Sequence, residues 1–333
     1  MRKTAIIIMF AMLAGICGAI DQPVYPCYRL QKEPVMDGQI TAQEWETVPA
    51  ITGFWMLGKQ AYALHKQARF KAGWDDKNLY LAIQCEEPDP GKIAAVQKDG
   101  SDSLWQDDSV EIFLMPEDNG PYFQLIVNAK GSRSASRRDG GVDVPVNYLM
   151  LKTGTRIGTN DWILELSIPF ELLAAKAGEG RRWRVNIGRN MLNDPATERC
   201  TSWSCLAKWF HEPANFAVFE FYGTAISPEK AETMANQLKE PYVSALRRQV
   251  DTIAAQSGAF AAAIREGLKI GKLSAQAQAL KQSWEMIGKV AGMRTNDDGI
   301  LRTALVQAGD LPDSSRDFAD TLALEELLGQ EKM

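Results

Sequence analysis

From about residue 24 to residue 222 the chain is dominated by short runs in which apolar and polar positions alternate. Leu79, Leu81, Ile83 and Cys85 share one parity, with Tyr80, Ala82 and Gln84 on the other. Successive strand side chains point to opposite faces, so a period of two predicts a strand with one face toward a core. Val110, Ile112 and Leu114 alternate in the same way with Glu111, Phe113 and Met115. Phe123, Leu125 and Val127 alternate with Gln124, Ile126 and Asn128. The pattern recurs at Trp162, Leu164, Leu166 and Ile168, at Trp183, Val185 and Ile187, and at Phe219 and Phe221. Turn-forming stretches separate these runs: Asp75-Asp-Lys-Asn78, Glu117-Asp-Asn-Gly120, Gly131-Ser132 and Gly178-Glu-Gly180. Many short strands between such turns predict a mainly β fold, an antiparallel β-sandwich over residues 24–226.

The period then changes. Ser227, Pro228 and Glu229 read as an N-cap, an N1 proline and an acidic first turn. Met234, Leu238, Tyr242, Leu246, Val250 and Ile253 form an apolar stripe at helical spacing, and Pro241 predicts a kink or a new helix start within it. A second stripe runs through Leu273, Ala277, Leu280, Trp284, Ile287 and Ala291, and Phe318 and Leu322 predict a last short helix. Residues 228–333 therefore read as a small α-helical C-terminal region, a bundle or hairpin. Its stripes pack on each other or on the sandwich; a surface for self-association or a protein partner is the alternative.

Met1-Arg-Lys3 followed by apolar residues 5–15 reads as a signal peptide over residues 1–19, with cleavage after Ala19. Ile16 weakens a lipoprotein reading of Cys17, since a small residue is expected before the modified cysteine. The expectation is a secreted protein, periplasmic, cell-envelope or extracellular, and not membrane-spanning. With 42 acidic against 37 basic residues, the net charge is −5, which argues against nucleic acid as a partner. The Arg133, Arg137 and Arg138 cluster reads as a solvated hairpin tip.

Cys27, Cys85, Cys200 and Cys205 remain after cleavage, an even count that an oxidising compartment turns into disulfides. Cys200 and Cys205 flank a short loop containing Trp203, which makes them one candidate pair and leaves Cys27 with Cys85. A zinc site is disfavoured: there is no CxxC, and the chain holds only two histidines.

Three blocks carry a resemblance. The first is Pro34-Val-Met-Asp-Gly-Gln-Ile-Thr-Ala-Gln-Glu-Trp45. The second is Ala68-Arg-Phe-Lys-Ala-Gly-Trp-Asp-Asp-Lys-Asn-Leu-Tyr-Leu81 followed by Trp105-Gln-Asp-Asp-Ser-Val-Glu-Ile-Phe113. The third runs Trp162-Ile-Leu-Glu-Leu-Ser-Ile-Pro169, Trp183-Arg-Val-Asn-Ile-Gly-Arg189 and Ser202-Trp-Ser204 through Trp209 to Phe216. In order and spacing they resemble carbohydrate-binding module family 9 over roughly residues 34–222, leaving the helical third outside the likeness.

The resemblance implies a non-catalytic module that holds an oligo- or polysaccharide between exposed tryptophans. Flat aromatic faces suit the apolar face of a pyranose ring. The positions matching the family's sugar-stacking tryptophans are Trp105 and Trp209. Glu111 matches a ligand-contacting glutamate, and Gln124 and Asn128 hold matching strand positions. The family's arginine on that strand is Ile126 here, so the family's sugar-end preference does not transfer; Arg189 is a candidate substitute guanidinium. Trp45, Trp74, Trp162, Trp183 and Trp203 read as framework and Trp284 as helix packing.

Calcium is the one cofactor the resemblance raises, with Asp99, Asp102, Asp107 and Asp108 as oxygen ligands; the alternative is a solvated acidic loop. Related folds also hold haem, which would need His65 or His211 with Met115 or Met150 as axial ligands. The sequence shows no Gly-x-Ser-x-Gly elbow, HExxH, phosphate loop or dinucleotide fingerprint, so no catalytic residue is assigned. The functional alternative is an envelope scaffold that has lost sugar affinity and assembles through its helical tail.

Overall fold

The computed structural model describes residues 22–194 and 198–330. The signal peptide expected over residues 1–19 lies outside them, as does Cys17. Among the described residues thirteen strands form one curled sheet whose two leaves face each other. The first leaf comprises β5 (Ser109–Met115), β6 (Tyr122–Asn128), β7 (Arg133–Asp139), β8 (Val142–Pro145), β11 (Arg182–Asn190) and β13 (Ala217–Tyr222). The second comprises β1 (Val24–Arg29), β3 (Ala68–Trp74), β4 (Asn78–Glu86), β9 (Lys152–Ile157) and β10 (Asp161–Pro169). Two short strands, β2 (Trp55–Met56) and β12 (Cys200–Ser202), extend β11 sideways.

The sheet is antiparallel except where β1 runs parallel to both β13 and β3. Only Tyr28 and Arg29 register with β3, and this narrow seam is where the sheet folds over on itself. The alternating apolar residues supply the core between the leaves: Val110, Ile112, Leu125, Val185, Ile187 and Phe219 from the first meet Phe70, Leu81, Ile83, Leu164 and Leu166 from the second.

The outer face of the second leaf is covered, not solvated. Tyr80 and Ala82 pack with Trp45, from α1 (Ala42–Trp45), and with Ile226 and Ala231. Glu165 lies fully buried on this face. Its carboxylate accepts the backbone N–H groups of Asp37, Gly38 and Gln39 and the Trp45 indole N–H at 2.8 Å. The Asp37-Gly38 turn is fixed closely here, because a Cβ on the facing Gly154 would lie 2.3 Å from the Met36 carbonyl carbon.

Five further helices follow: α2 (Pro228–Ala254), α3 (Ser257–Gly267), α4 (Ser274–Met293), α5 (Asp298–Ala308) and α6 (Leu311–Gln330). Both predicted stripes are real: Tyr242, Leu246 and Val250 of the first meet Ala277, Trp284 and Ile287 of the second, while Met234 and Leu238 at the start of the first pack on the sheet. Pro241 neither breaks α2 nor starts a new helix. Tertiary packing overrides it: the next residue, Tyr242, seats edge-on against Tyr62 and over Gly53, where a Cβ would come within 3.0 Å of it. The last helix runs 20 residues, longer than the short element expected. Arg302 of α5 ties this region to the sheet through a bidentate pair with Glu86 (2.7 and 2.9 Å) and a bond to the Leu64 carbonyl. No helix among the described residues is long and apolar enough to cross a membrane.

The expected disulfides do not form. Cys27 is level with Ala72 of β3, while Cys85 pairs with Ala68, so β3 lies between them and the register separates them by four residues. That is well beyond the ~7 Å Cα limit for a bridge. Cys200 directs its thiol to Asn190 Oδ1 at 3.4 Å, whereas the backbone of Cys205 is held by Gln22.

Candidate saccharide face

The strand parity that sends Val110 and Ile112 inward sends Ser109, Glu111 and Phe113 to the outer face of the first leaf. Glu111 registers with Ile126 on β6 and Gly188 on β11. It is 4% exposed, and its carboxylate accepts the Gln124 amide at 2.6 Å and the Asn190 amide at 2.7 Å. Burial pushes its pKa up, and these two bonds only partly offset that. Asn190 also bonds Ser109 Oγ, so a carboxylate, two amides and a hydroxyl form one polar floor. Gln124 is half-buried and borders solvent.

An aromatic cover lies beside this floor. Phe210 lies over Gly188, where a Cβ would meet the ring at 2.8 Å, and packs with Phe216 against Phe113. His211 places its ring edge on Phe113 and its Nδ1 2.8 Å from the Tyr122 hydroxyl. Burial, and then the charge of Arg138, hold this imidazole below its ordinary pKa. Asn186 anchors the entry to the loop by accepting bonds from Ser202 Oγ and the Ser204 N–H.

Trp209 stands on that loop, 65% exposed. Glu212 braces it by accepting the backbone N–H groups of Ala207, Lys208 and Trp209 and the Asn215 amide. Trp105, 52% exposed, rides a 3-10 turn (Leu104–Gln106) that enters β5 at its Ser109 end. Buried Leu104 anchors the turn on one side and Asp107 on the other. Along the outer face of β5, Glu111 therefore lies between the attachment points of the two tryptophans. Trp45, Trp74, Trp162, Trp183, Trp203 and Trp284 are buried and Trp55 is half-buried and stacked on Tyr62, leaving Trp105 and Trp209 as the two exposed tryptophans among the described residues.

Two candidates go elsewhere. Asn128 is fully buried; its amide donates to Gln97 O and Asp107 Oδ2, and its Oδ1 accepts from Lys130 and Ser132. Every bond its side chain can make is used within the protein. Arg189 has the parity of Val185 and Ile187 and points between the leaves. There it donates to the Glu86 and Gln67 carbonyls and lies 3.8 Å from Glu87, so it neither pairs with Glu111 nor replaces the guanidinium lost at Ile126.

The acidic loop does not fit calcium. Asp107 accepts the Val96 and Gln97 N–H groups, Asp108 that of Ala94, and Asp99 that of Arg133. These carboxylates close the loop on backbone donors and do not converge. No group of three or more His, Cys, Asp or Glu able to hold a metal occurs among the described residues.

Sequence reasoning missed Asn190, Asn186 and Glu212. Extending the Trp183–Ile187 alternation would have placed Asn190 outward beside Glu111; nothing local marks Glu212 as a brace.

The fold is a two-leaved β-sandwich with a helical C-terminal region, and the loops flanking its first leaf carry the two exposed tryptophans. Residues 36–217 match the family described as carbohydrate family 9 binding domain-like, and the chain belongs to that family. Among solved structures, it is similar to a candidate carbohydrate-binding protein from Bacteroides uniformis ATCC 8492, with TM-score 0.51 and 17% identity over 60% of this chain and 99% of that one. It is also similar to a carbohydrate-binding module family 9 protein from Caldicellulosiruptor kristjanssonii. In complex with cellotriose that protein gives TM-score 0.44 and 19% identity, over 60% of this chain and 94% of that chain. In complex with glucose it gives 0.43 and 20%, over 60% and 96%. At 17% identity the likeness to the Bacteroides uniformis protein is one of fold. No curated protein matches the chain.

Proposed function

We propose that the sheet region is a non-catalytic saccharide-binding module and that Trp105 and Trp209 are its stacking platforms. Family membership supports saccharide as the ligand class. The observation that carries the reading is the bracing of an exposed aromatic: the Glu212 carboxylate fixes the backbone of Trp209 while its side chain stays 65% exposed. An indole held ready in this way loses little entropy on stacking, and each stacked ring adds about 1 kcal/mol beyond area burial. Glu111 and Gln124 supply an acceptor and a donor for ring hydroxyls. The basic-then-apolar N-terminus supports secretion, which N-terminal sequencing of exported protein would test.

The experiment is a glycan array on wild type and Trp209→Ala. Binding by wild type that disappears in the folded variant supports the reading. A folded wild type that binds no glycan would transfer weight to an assembly role for the helical region.

A further inference from the structure

Two residues along β6 from Gln124, the outer face changes character. One cross-strand row runs Arg184, Met115, Tyr122, Arg138 and Asp143 over β11, β5, β6, β7 and β8. Its outer surface is a cleft of about 380 Å³ with an arginine toward either side and the Tyr122 ring between them. Pro213 and Ala214 wall it on one side and directly follow the loop that carries Trp209. Gly140 and Gly141 rim the other side; a Cβ on either would meet open space, so the entrance is wide.

The step from Gln124 to Tyr122 is about 6.6 Å along the strand, comparable with one pyranose repeat. The cleft therefore adjoins the Glu111–Gln124 floor along β6, with the His211 ring, bonded to the Tyr122 hydroxyl, standing at the boundary a saccharide would pass to reach it. Both guanidiniums are partly exposed, at 30% for Arg138 and 37% for Arg184. Each is paired with a more exposed aspartate, Asp143 at 3.0 Å and Asp118 at 2.8 Å. Exposed pairs of this kind are weakly held, so a ligand carboxylate can displace either aspartate. Arg184 is further fixed by donating to the Ala214 carbonyl at 3.3 Å, which aims it along the wall. A planar guanidinium matches a carboxylate with two parallel hydrogen bonds.

We propose that this cleft is an acidic subsite, in which Arg138 and Arg184 receive the carboxylate of a uronic-acid unit of a glycan seated at Trp209. The inference rests on the saccharide-binding reading and narrows it to acidic glycans.

The test is calorimetry of wild type, Arg138→Gln, Arg184→Gln and Trp209→Ala against matched trisaccharides that differ only at C6, a neutral hydroxymethyl or methyl ester against a carboxylate. The pairs are β-1,4-glucan with β-1,4-glucuronan, β-1,4-mannan with β-1,4-mannuronan, and methyl-esterified with free oligogalacturonate. The expected result is at least one pair in which the acidic member binds about tenfold tighter at low salt. That preference shrinks as salt rises and is lost in either arginine variant, while affinity for the neutral member is retained. Equal binding within every pair, preference for the neutral members, or an acidic preference that both arginine variants keep would overturn the subsite and leave the saccharide-binding reading standing. Failure of every acidic member to bind would also overturn it. In that case, neutral glycans retained on the array, with binding lost in Trp209→Ala, would show that the broader reading survives.

Discussion

Glu212 accepts the backbone N–H of Trp209 through Oε1 at 3.1 Å, three residues back along the same loop. The same carboxylate takes the N–H groups of Ala207 and Lys208, so one side chain holds the backbone that presents the most exposed tryptophan of the chain. Removing it by Glu212→Ala is expected to cost about 1 kcal/mol of stability and to weaken saccharide binding several-fold. Thermal melts and calorimetry measure the two effects separately.

That brace also carries a pH dependence. Partial desolvation pushes the Glu212 pKa up, but the donated N–H groups and the Asn215 amide outweigh it, leaving the pKa below its ordinary 4.5. A carboxylate with a depressed folded pKa contributes stability above its unfolded value and loses it as pH falls through the folded one. Loop order, followed by Trp209 fluorescence against a Trp209→Phe blank, should therefore hold at neutral pH and fade only below about pH 4.5.

Glu111 behaves in the opposite sense. Burial raises its pKa above the ordinary 4.5, so its ionised form is disfavoured by folding, and the linked stability loss grows as pH rises from 4.5 through the raised value. Glu111→Gln should leave neutral-pH stability unchanged or higher and flatten stability against pH in that window. Saccharide affinity should nevertheless fall, because an amide cannot offer two acceptor oxygens. Melting curves from pH 4 to 8 with parallel titrations check both.

The helical region is expected to depend on Arg302. Its partner Glu86 is 29% exposed at the side chain, so Arg302→Ala should cost about 2 kcal/mol, less than a fully buried pair would. Arg302→Met with Glu86→Leu should recover part of that loss. Chemical denaturation of the two variants gives the comparison.

What could be read along the chain, and what could not, divides by range. β4, β5, β6, β10 and β11 announce themselves because each turns one uniformly apolar face toward the core, although loops and helices cover most of the other face as well, and parity alone placed Glu111 and Gln124 outward. The same parity, carried two residues past Ile187, puts Arg189 inward; its promise as a ligand contact came from chemistry without geometry. Asn128 has outward parity and is nevertheless buried, because the 94–108 loop closes over the end of β6, a contact no local pattern encodes. Pro241 marked a break that the seating of Tyr242 on Tyr62 overrides. The cysteine count pointed to bridges, but register decides bridging, and register between β1 and β4 is set by β3 between them.

The central claim is that Trp105, Glu111 and Trp209 serve one saccharide site. The most direct measurement is calorimetric titration of an array-identified glycan into wild type, Trp105→Ala, Trp209→Ala and the double variant. The account predicts a loss of at least about fivefold for each single change, from the ~1 kcal/mol of stacking that each ring contributes, and no measurable binding by the double variant. Wild-type affinity retained in a folded double variant would contradict it.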